Sequence, residues 1–223
     1  MTRPPNSRPG IAARARAVPG NHPRKTLAGV VGAAVALALG VSIPADESGR
    51  KVEATLQPAN GALQVRHISG RQYLRGYLDI VRVGTACDGI TTYRGQPIRA
   101  GQQFTEAQCA EMLEDELVRH AEGVMACSPG LALSSDPAVE RQRAGPRFAA
   151  VSLAYNVGIG RPASNGRLGS GYCGSTARAW FNAGAYPAGC DALLAWNKAG
   201  GREVRGLTER RRRERDVCRR GFG

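Results

Sequence analysis

Aromatic residues are scarce in this 223-residue chain: four Phe, two Trp and six Tyr, set against 29 Gly. That balance disfavours an aromatic-rich, sheet-dominated fold and predicts a helical one with many loops. No Cys-x-x-Cys or Cys-x-x-His pair occurs and the cysteines stand far apart, which disfavours zinc as the rival reading of the cysteines, and neither metal nor other cofactor is expected. Acidic residues are missing from positions 1–25, and again between Glu53 and Asp79. No internal repeat is present, and the length suits one ordinary domain with additional segments.

What the chain does have is positive charge, a formal +13. Nucleic acid, anionic lipid and the polymers of a cell wall are the polyanions such a charge attracts, and charge alone does not choose among them. Six of the cations (Arg3, Arg8, Arg14, Arg16, Arg24 and Lys25) lie in the acid-free leader and are assigned to targeting. A second cluster, Arg210–Arg213 with Arg215, Arg219 and Arg220, is interleaved with Glu209, Glu214 and Asp216 and reads as a solvated helix face with some internal pairing.

After the leader comes TLAGVVGAAVALALGVSI, Thr26–Ile43, uncharged throughout. As one helix it would reach about 27 Å, just enough for a bilayer core. A cleaved signal peptide, a permanent anchor and a releasable anchor are the competing readings. No clear small-x-small cleavage site stands near Ser42–Asp46, which favours an uncleaved signal-anchor. A buried core helix ranks last, because a basic flank precedes the segment and polar, acidic residues follow Pro44. The expected organisation is a basic disordered cytoplasmic segment at 1–25, a transmembrane or signal-anchor helix at 26–43, a linker at 44–63 and a folded domain at 64–223. All six cysteines (Cys87, Cys109, Cys127, Cys173, Cys190 and Cys218) fall in that last part. An even number on the exported side predicts up to three disulfides in an oxidising compartment, with the pairing open. Export and disulfides together argue against a nucleic-acid partner.

Within 64–223, β-branched residues alternate around turns from Tyr77 to Arg99 and predict a small antiparallel sheet. Thr105 with Gln108 forms a capping box that opens a helix carrying Cys109, Met112, Leu113 and Leu117 on one face. Further helices are expected after Pro146 as far as Gly158, from Ser175 to about Asn182, from about Pro187 to Lys198, and from about Leu207 to Arg220. The stretch GIGRPASNGRLGSG between the first two reads as a flexible loop. Trp196, Asn197 and Tyr155 read as core or backbone-satisfying residues. The fold class is α+β, mostly helical, with a small antiparallel sheet near the cleft.

Three segments carry a resemblance to a known family: FNAGAYPAGCDALLAWNKAGGREVRGLTERRRRERDVC at 181–218, FTEAQC at 104–109 and SLAYNVG at 152–158. In this order they resemble the phage-type lysozymes of glycoside hydrolase family 24, over roughly residues 66–220. The resemblance implies a lysozyme-like fold and hydrolysis of the β-1,4 bonds between N-acetylmuramic acid and N-acetylglucosamine in peptidoglycan, as an endolysin that lyses a host. It implies a monomer with peptidoglycan as partner, anchored in the inner membrane through residues 26–43 with its domain in the periplasm, or released there. In some phage endolysins a signal-arrest-release segment performs that release.

The family's catalytic segment runs from a Glu to an Asp nine positions on and a Thr six beyond it. YLDIVRVGT places Asp79 and Thr85 at the second and third positions. By that spacing the acid falls on Gly70, or on Ser69 after a slip of one residue, so the proton donor is expected to be missing. The resemblance implies that Asp79 and Thr85 hold the attacking water, while the absent Glu would protonate the leaving sugar oxygen. A catalytically impaired protein that binds peptidoglycan or an envelope partner is the alternative. Glu53, Glu106, Glu111, Glu114 and His67 are weak substitutes for the donor. Asp88-Gly89-Ile90-Thr91 stands where many members have Gly-His-Thr, a departure at the edge of the expected cleft.

Overall fold

The computed structural model describes residues 25–79, 82–164 and 168–222. The disorder expected of the leader therefore lies outside the described residues, Lys25 apart.

The apolar segment does not form one long helix. It folds as α1 (Leu27–Val31) and α2 (Ala33–Glu47), separated by Gly32 at φ 86°. Leu27, Val31, Ala36, Leu39 and Ile43 are fully buried. In this packed form the single helix expected at 26–43 is divided in two, and among the described residues no helix is long and apolar enough to cross a membrane. The physical reason is that a segment apolar all round needs cover on every side, and a protein interior supplies that as well as lipid does. α1 is far too short to stand alone. Neighbouring side chains satisfy its ends: the Leu27 amide donates to Glu114 at 3.1 Å, and Arg147 Nη1 donates to the Val31 carbonyl at 3.0 Å.

The stretch read as a linker at 44–63 is likewise structured. Its first residues complete α2, and the rest enter an antiparallel hairpin of β1 (Lys51–Leu56) and β2 (Leu63–Ser69). Val52, Leu63 and Val65 are buried there, so the alternation of the two strands gives the hairpin one core face. The packed body thus starts at α1 rather than near Gln64.

Two short ladders follow, β3 (Tyr77–Leu78) with β4 (Gly84–Thr85), and β5 (Thr92–Tyr93) with β6 (Gln96–Pro97). They realise the small sheet expected over this region as separate two-stranded pieces. α3 (Glu106–Cys127) opens on the Thr105–Gln108 capping box. α4 (Pro137–Val157) begins well before the predicted start at Pro146: Asp136 caps it by accepting from the Ala138 amide at 2.8 Å, and Pro146 lies inside the helix. The Gly-rich loop after α4 has a paired stem, with Arg161 and Ser170 exchanging both backbone hydrogen bonds. α5 (Thr176–Asn182) starts on Ser175 as expected. α6 (Tyr186–Ala192) is shorter than predicted, because the chain tightens into a 3-10 turn and then a hairpin of β7 (Lys198–Ala199) and β8 (Arg202–Glu203). α7 (Arg205–Arg219) closes the helical part.

The arginine cluster on α7 is only partly solvated. Arg210, Arg211 and Glu214 are buried, with Glu214 Oε1 accepting from Ser152 Oγ at 2.6 Å and from Arg211 Nη2 at 2.8 Å. Arg210 and Arg213 reach across to Asp46 and Glu47 at the end of α2. Charge counting along the sequence cannot see these partners, because they arrive from another helix.

Three disulfides join the elements. Cys87–Cys109 ties the loop after β4 to α3, Cys127–Cys173 ties the end of α3 to the turn before α5, and Cys190–Cys218 ties α6 to α7. Each closes a loop whose entropy contributes about 3–4 kcal/mol in the chain-entropy account. Reduction is therefore expected to lower the thermal midpoint sharply, as followed by circular dichroism with and without dithiothreitol. An unchanged midpoint would contradict that role.

Candidate active site

The β3–β4 hairpin carries Asp79 and Thr85. Asp79 sits at the mouth of its turn, where its backbone amide donates to the Val83 carbonyl at 2.9 Å and its Oδ1 accepts from the Val83 amide at 2.8 Å. Thr85 lies opposite Tyr77 in the ladder and is buried, its hydroxyl donating to the Val83 carbonyl at 3.1 Å. One short hairpin thus fixes both side chains.

Glu47, which the spacing did not single out, approaches the turn at Gly89 from the end of α2. It is the last residue of α2, and its Oε1 accepts from Arg210 Nη1 at 2.6 Å. A Cβ added at Gly89, in the turn just beyond Thr85, would stand 3.6 Å from Glu47 Oε2. Tyr77 registers both acids: burial chiefly raises its phenol pKa, Tyr73 adds to this, and the negative charges of Asp79 and Glu47 push in the same direction. Tyr155, whose hydroxyl donates to the Asp88 carbonyl at 2.9 Å, is raised well above the usual phenol range by burial, then by Glu47 and Asp88. Glu47 thus lies beside the turn that follows Thr85, and its charge and that of Asp79 both act on Tyr77.

Gly70 and Ser69 lie against the segment Gly49–Lys51 that follows Glu47. Ser69 is exposed at the end of β2, paired with Lys51. Gly70 has φ 94°, and a Cβ there would come within 2.8 Å of Arg50 Cα. Gly70→Glu is accordingly expected to cost about 1–3 kcal/mol in stability for its left-handed backbone and to give no gain in activity. A thermal melt and a peptidoglycan-clearing assay on that variant check both; increased clearing would contradict the expectation.

The carboxylates considered as substitutes are engaged away from this region. Glu53 pairs with Arg66 across the first hairpin, Glu106 accepts from the His67 amide, Glu111 accepts from the Tyr93 hydroxyl, and Glu114 caps α1. These four line a cavity between that hairpin and α3 to which Glu47, Asp79 and Thr85 do not contribute. Among the described residues no cluster of three His, Cys, Asp or Glu could hold a metal ion.

The signal that could have found Glu47 is its position directly after an apolar run, with Arg50 following. The β1–β2 hairpin separates it from Asp79, so a search at fixed spacing passes it by.

Residues 70–214 match the family model described as Phage lysozyme. The match begins where the first hairpin ends, so α1, α2 and that hairpin precede it. The SAR-endolysin of Bacteriophage PS119 is 32% identical over 151 residues, covering 68% of this chain and 76% of the relative. The SAR-endolysin of Enterobacteria phage P21 is 32% identical over 155 residues, covering 67% and 80%. In fold, the chain is similar to the endolysin of Escherichia coli O157:H7 phage FAHEc1, with TM-score 0.52 and 22% identity, over 81% of this chain and 90% of that one. It is similar to a mutant P22 lysozyme at TM-score 0.52 and 23% identity, over 80% and 93%. The chain belongs to the phage lysozyme family: it is a lysozyme-like endolysin, a glycoside hydrolase that degrades peptidoglycan.

Proposed function

We propose that the enzyme cleaves the β-1,4 bond between N-acetylmuramic acid and N-acetylglucosamine, with Glu47 as proton donor and with Asp79 and Thr85 holding the attacking water. The observation that carries this reading is the placement of Glu47 at the end of α2, against the turn that follows Thr85. Glycoside hydrolysis needs one acid for the leaving oxygen and a second group that positions water across the ring. With Glu47 in the first role the chain has both halves of that chemistry, which favours hydrolysis over a role confined to binding glycan. Gly70 and Ser69 then need no side chain for catalysis.

The same placement supports a reading of export and release. Thr26–Ile43 crosses the inner membrane as a signal-anchor with the basic leader on the cytoplasmic side. It later leaves the bilayer and packs as α1 and α2, so that leaving the membrane and completing the site become one event. Its Ala-, Gly- and Val-rich composition makes departure from lipid less costly than for a Leu-rich anchor. The relatives named SAR-endolysins accord with this, and the released enzyme acts in the periplasm as a monomer.

Digestion of purified peptidoglycan by the released enzyme tests the bond assignment. New reducing ends are expected on N-acetylmuramic acid. Reducing ends on N-acetylglucosamine, or none, would overturn it.

A further inference from the structure

Asp88 stands at the departure from the family pattern, and nothing in the chemistry above uses it. Its carboxylate is fully buried and is the meeting point of the chain that follows Glu47. Arg50 Nε donates to Asp88 Oδ1 at 2.8 Å, Arg50 Nη2 donates to Oδ2 at 2.6 Å, and Ser48 Oγ donates to Oδ1 at 2.9 Å. Gly49, at φ 70°, lets the residues on either side of it turn to one carboxylate. The turn that presents Asp88 is itself fixed. Ala86 and Ile90 exchange backbone hydrogen bonds, Cys87 is bridged to Cys109, and Tyr155 donates to the Asp88 carbonyl.

A buried ion pair of this kind is a weak source of net stability, since well-packed apolar residues would do as well. What it does supply here is geometry. The bidentate fork and the added hydroxyl join the residues directly after Glu47 to the turn directly after Thr85, while Arg210 holds the Glu47 carboxylate from α7. We infer that Asp88 is a positioning residue: through Ser48 and Arg50 it sets the end of α2, and hence Glu47, relative to the hairpin that carries Asp79 and Thr85. The inference rests on the reading of Glu47 as proton donor.

The test is steady-state kinetics of the released enzyme on soluble, uncrosslinked glycan strands, at a temperature where circular dichroism shows each variant folded. A donor displaced by about 1 Å loses about 10²-fold in rate, so Asp88→Asn is expected to lower kcat by about that factor. Arg50→Lys keeps the charge but not the fork and is expected to lose about tenfold. Ser48→Ala removes a hydroxyl whose one proton is shared between Asp88 Oδ1 and the Pro44 carbonyl, and is expected to lose about fivefold. In all three KM stays within about twofold, because an interaction felt only in the transition state leaves ground-state binding alone. A purely structural pair would leave kcat of the folded fraction unchanged, and that result, or a rise in KM with kcat intact, overturns the inference. Should Asp88→Asn not fold, Ser48→Ala and Arg50→Lys decide it by the same criterion. Glu47→Gln in parallel separates the two readings. If it retains activity the donor assignment fails, whereas an inactive Glu47→Gln beside fully active Ser48, Arg50 and Asp88 variants removes the positioning role alone.

Discussion

Glu47→Gln is expected to lower kcat on peptidoglycan by about 10²–10⁴-fold or more, because the amide has no proton to give to a leaving sugar oxygen. The fold should survive the change. The Gln oxygen can still accept from Arg210 Nη1, and Arg210 keeps Glu214 Oε1 at 3.2 Å, so no buried cation is left without a partner. Clearing of purified peptidoglycan and a thermal melt on the same preparation separate the two effects. A folded, inactive protein is the expected outcome, and a folded protein with activity near that of the parent would remove Glu47 from the chemistry. The contrast with Gly70→Glu is the informative part. A carboxyl placed where fixed spacing calls for it meets the Arg50 backbone, whereas the carboxyl that faces the Thr85 turn is supplied from beyond a hairpin.

The second large effect is on stability. Leu39 is fully buried on α2, beneath the first hairpin and the long helices. Leu39→Ala removes its buried methyl groups and leaves a cavity, a change that costs about 2–5 kcal/mol in a well-packed core. For a domain of this size that corresponds to a fall in melting midpoint of about 2–4 °C per kcal/mol. In a lipid-inserted helix the same change forfeits only about 0.5 kcal/mol of insertion energy. The variant is therefore expected to insert as the parent does, by membrane fractionation, yet to melt markedly earlier once released. Equal midpoints in the released proteins would mean that α2 is not part of the core.

These two residues mark where the sequence is and is not legible. The α3 start could be read from Thr105 and Gln108, because a capping box is a local device satisfied within one turn. The family could be read from three segments: two lie within one helix or its cap, and the third runs unbroken from the end of α5 into α7. The apolar run was harder. A segment hydrophobic on every side suits a bilayer and a protein core equally, and only its contacts with Glu114, Arg147 and Leu63 separate the two. The hairpin at 51–69 escaped because its polar faces and its Pro and Gly residues resemble a tether in composition. The strict alternation of Val52, Ala54 and Leu56 was the better guide. Glu47 is hard to find from sequence because it lies just past the apolar run, in a polar stretch that resembles a tether, and a hairpin separates it from Asp79. On α7, the burial of Arg210 is not legible because Asp46, Glu47 and the Ser152 carbonyl that meet it come from α2 and α4, whereas Arg211 pairs with Glu214 on its own helix.

The central claim is that the active enzyme carries residues 33–47 as a core helix and takes its proton donor from the end of it. Hydrogen exchange on the released enzyme, with clearing activity measured on the same sample, tests this most directly. Amides of α2 are expected to be protected as strongly as those of α3 and α4, in the range of global unfolding. Full activity from a protein whose α2 amides exchange as freely as an unstructured peptide would contradict the account.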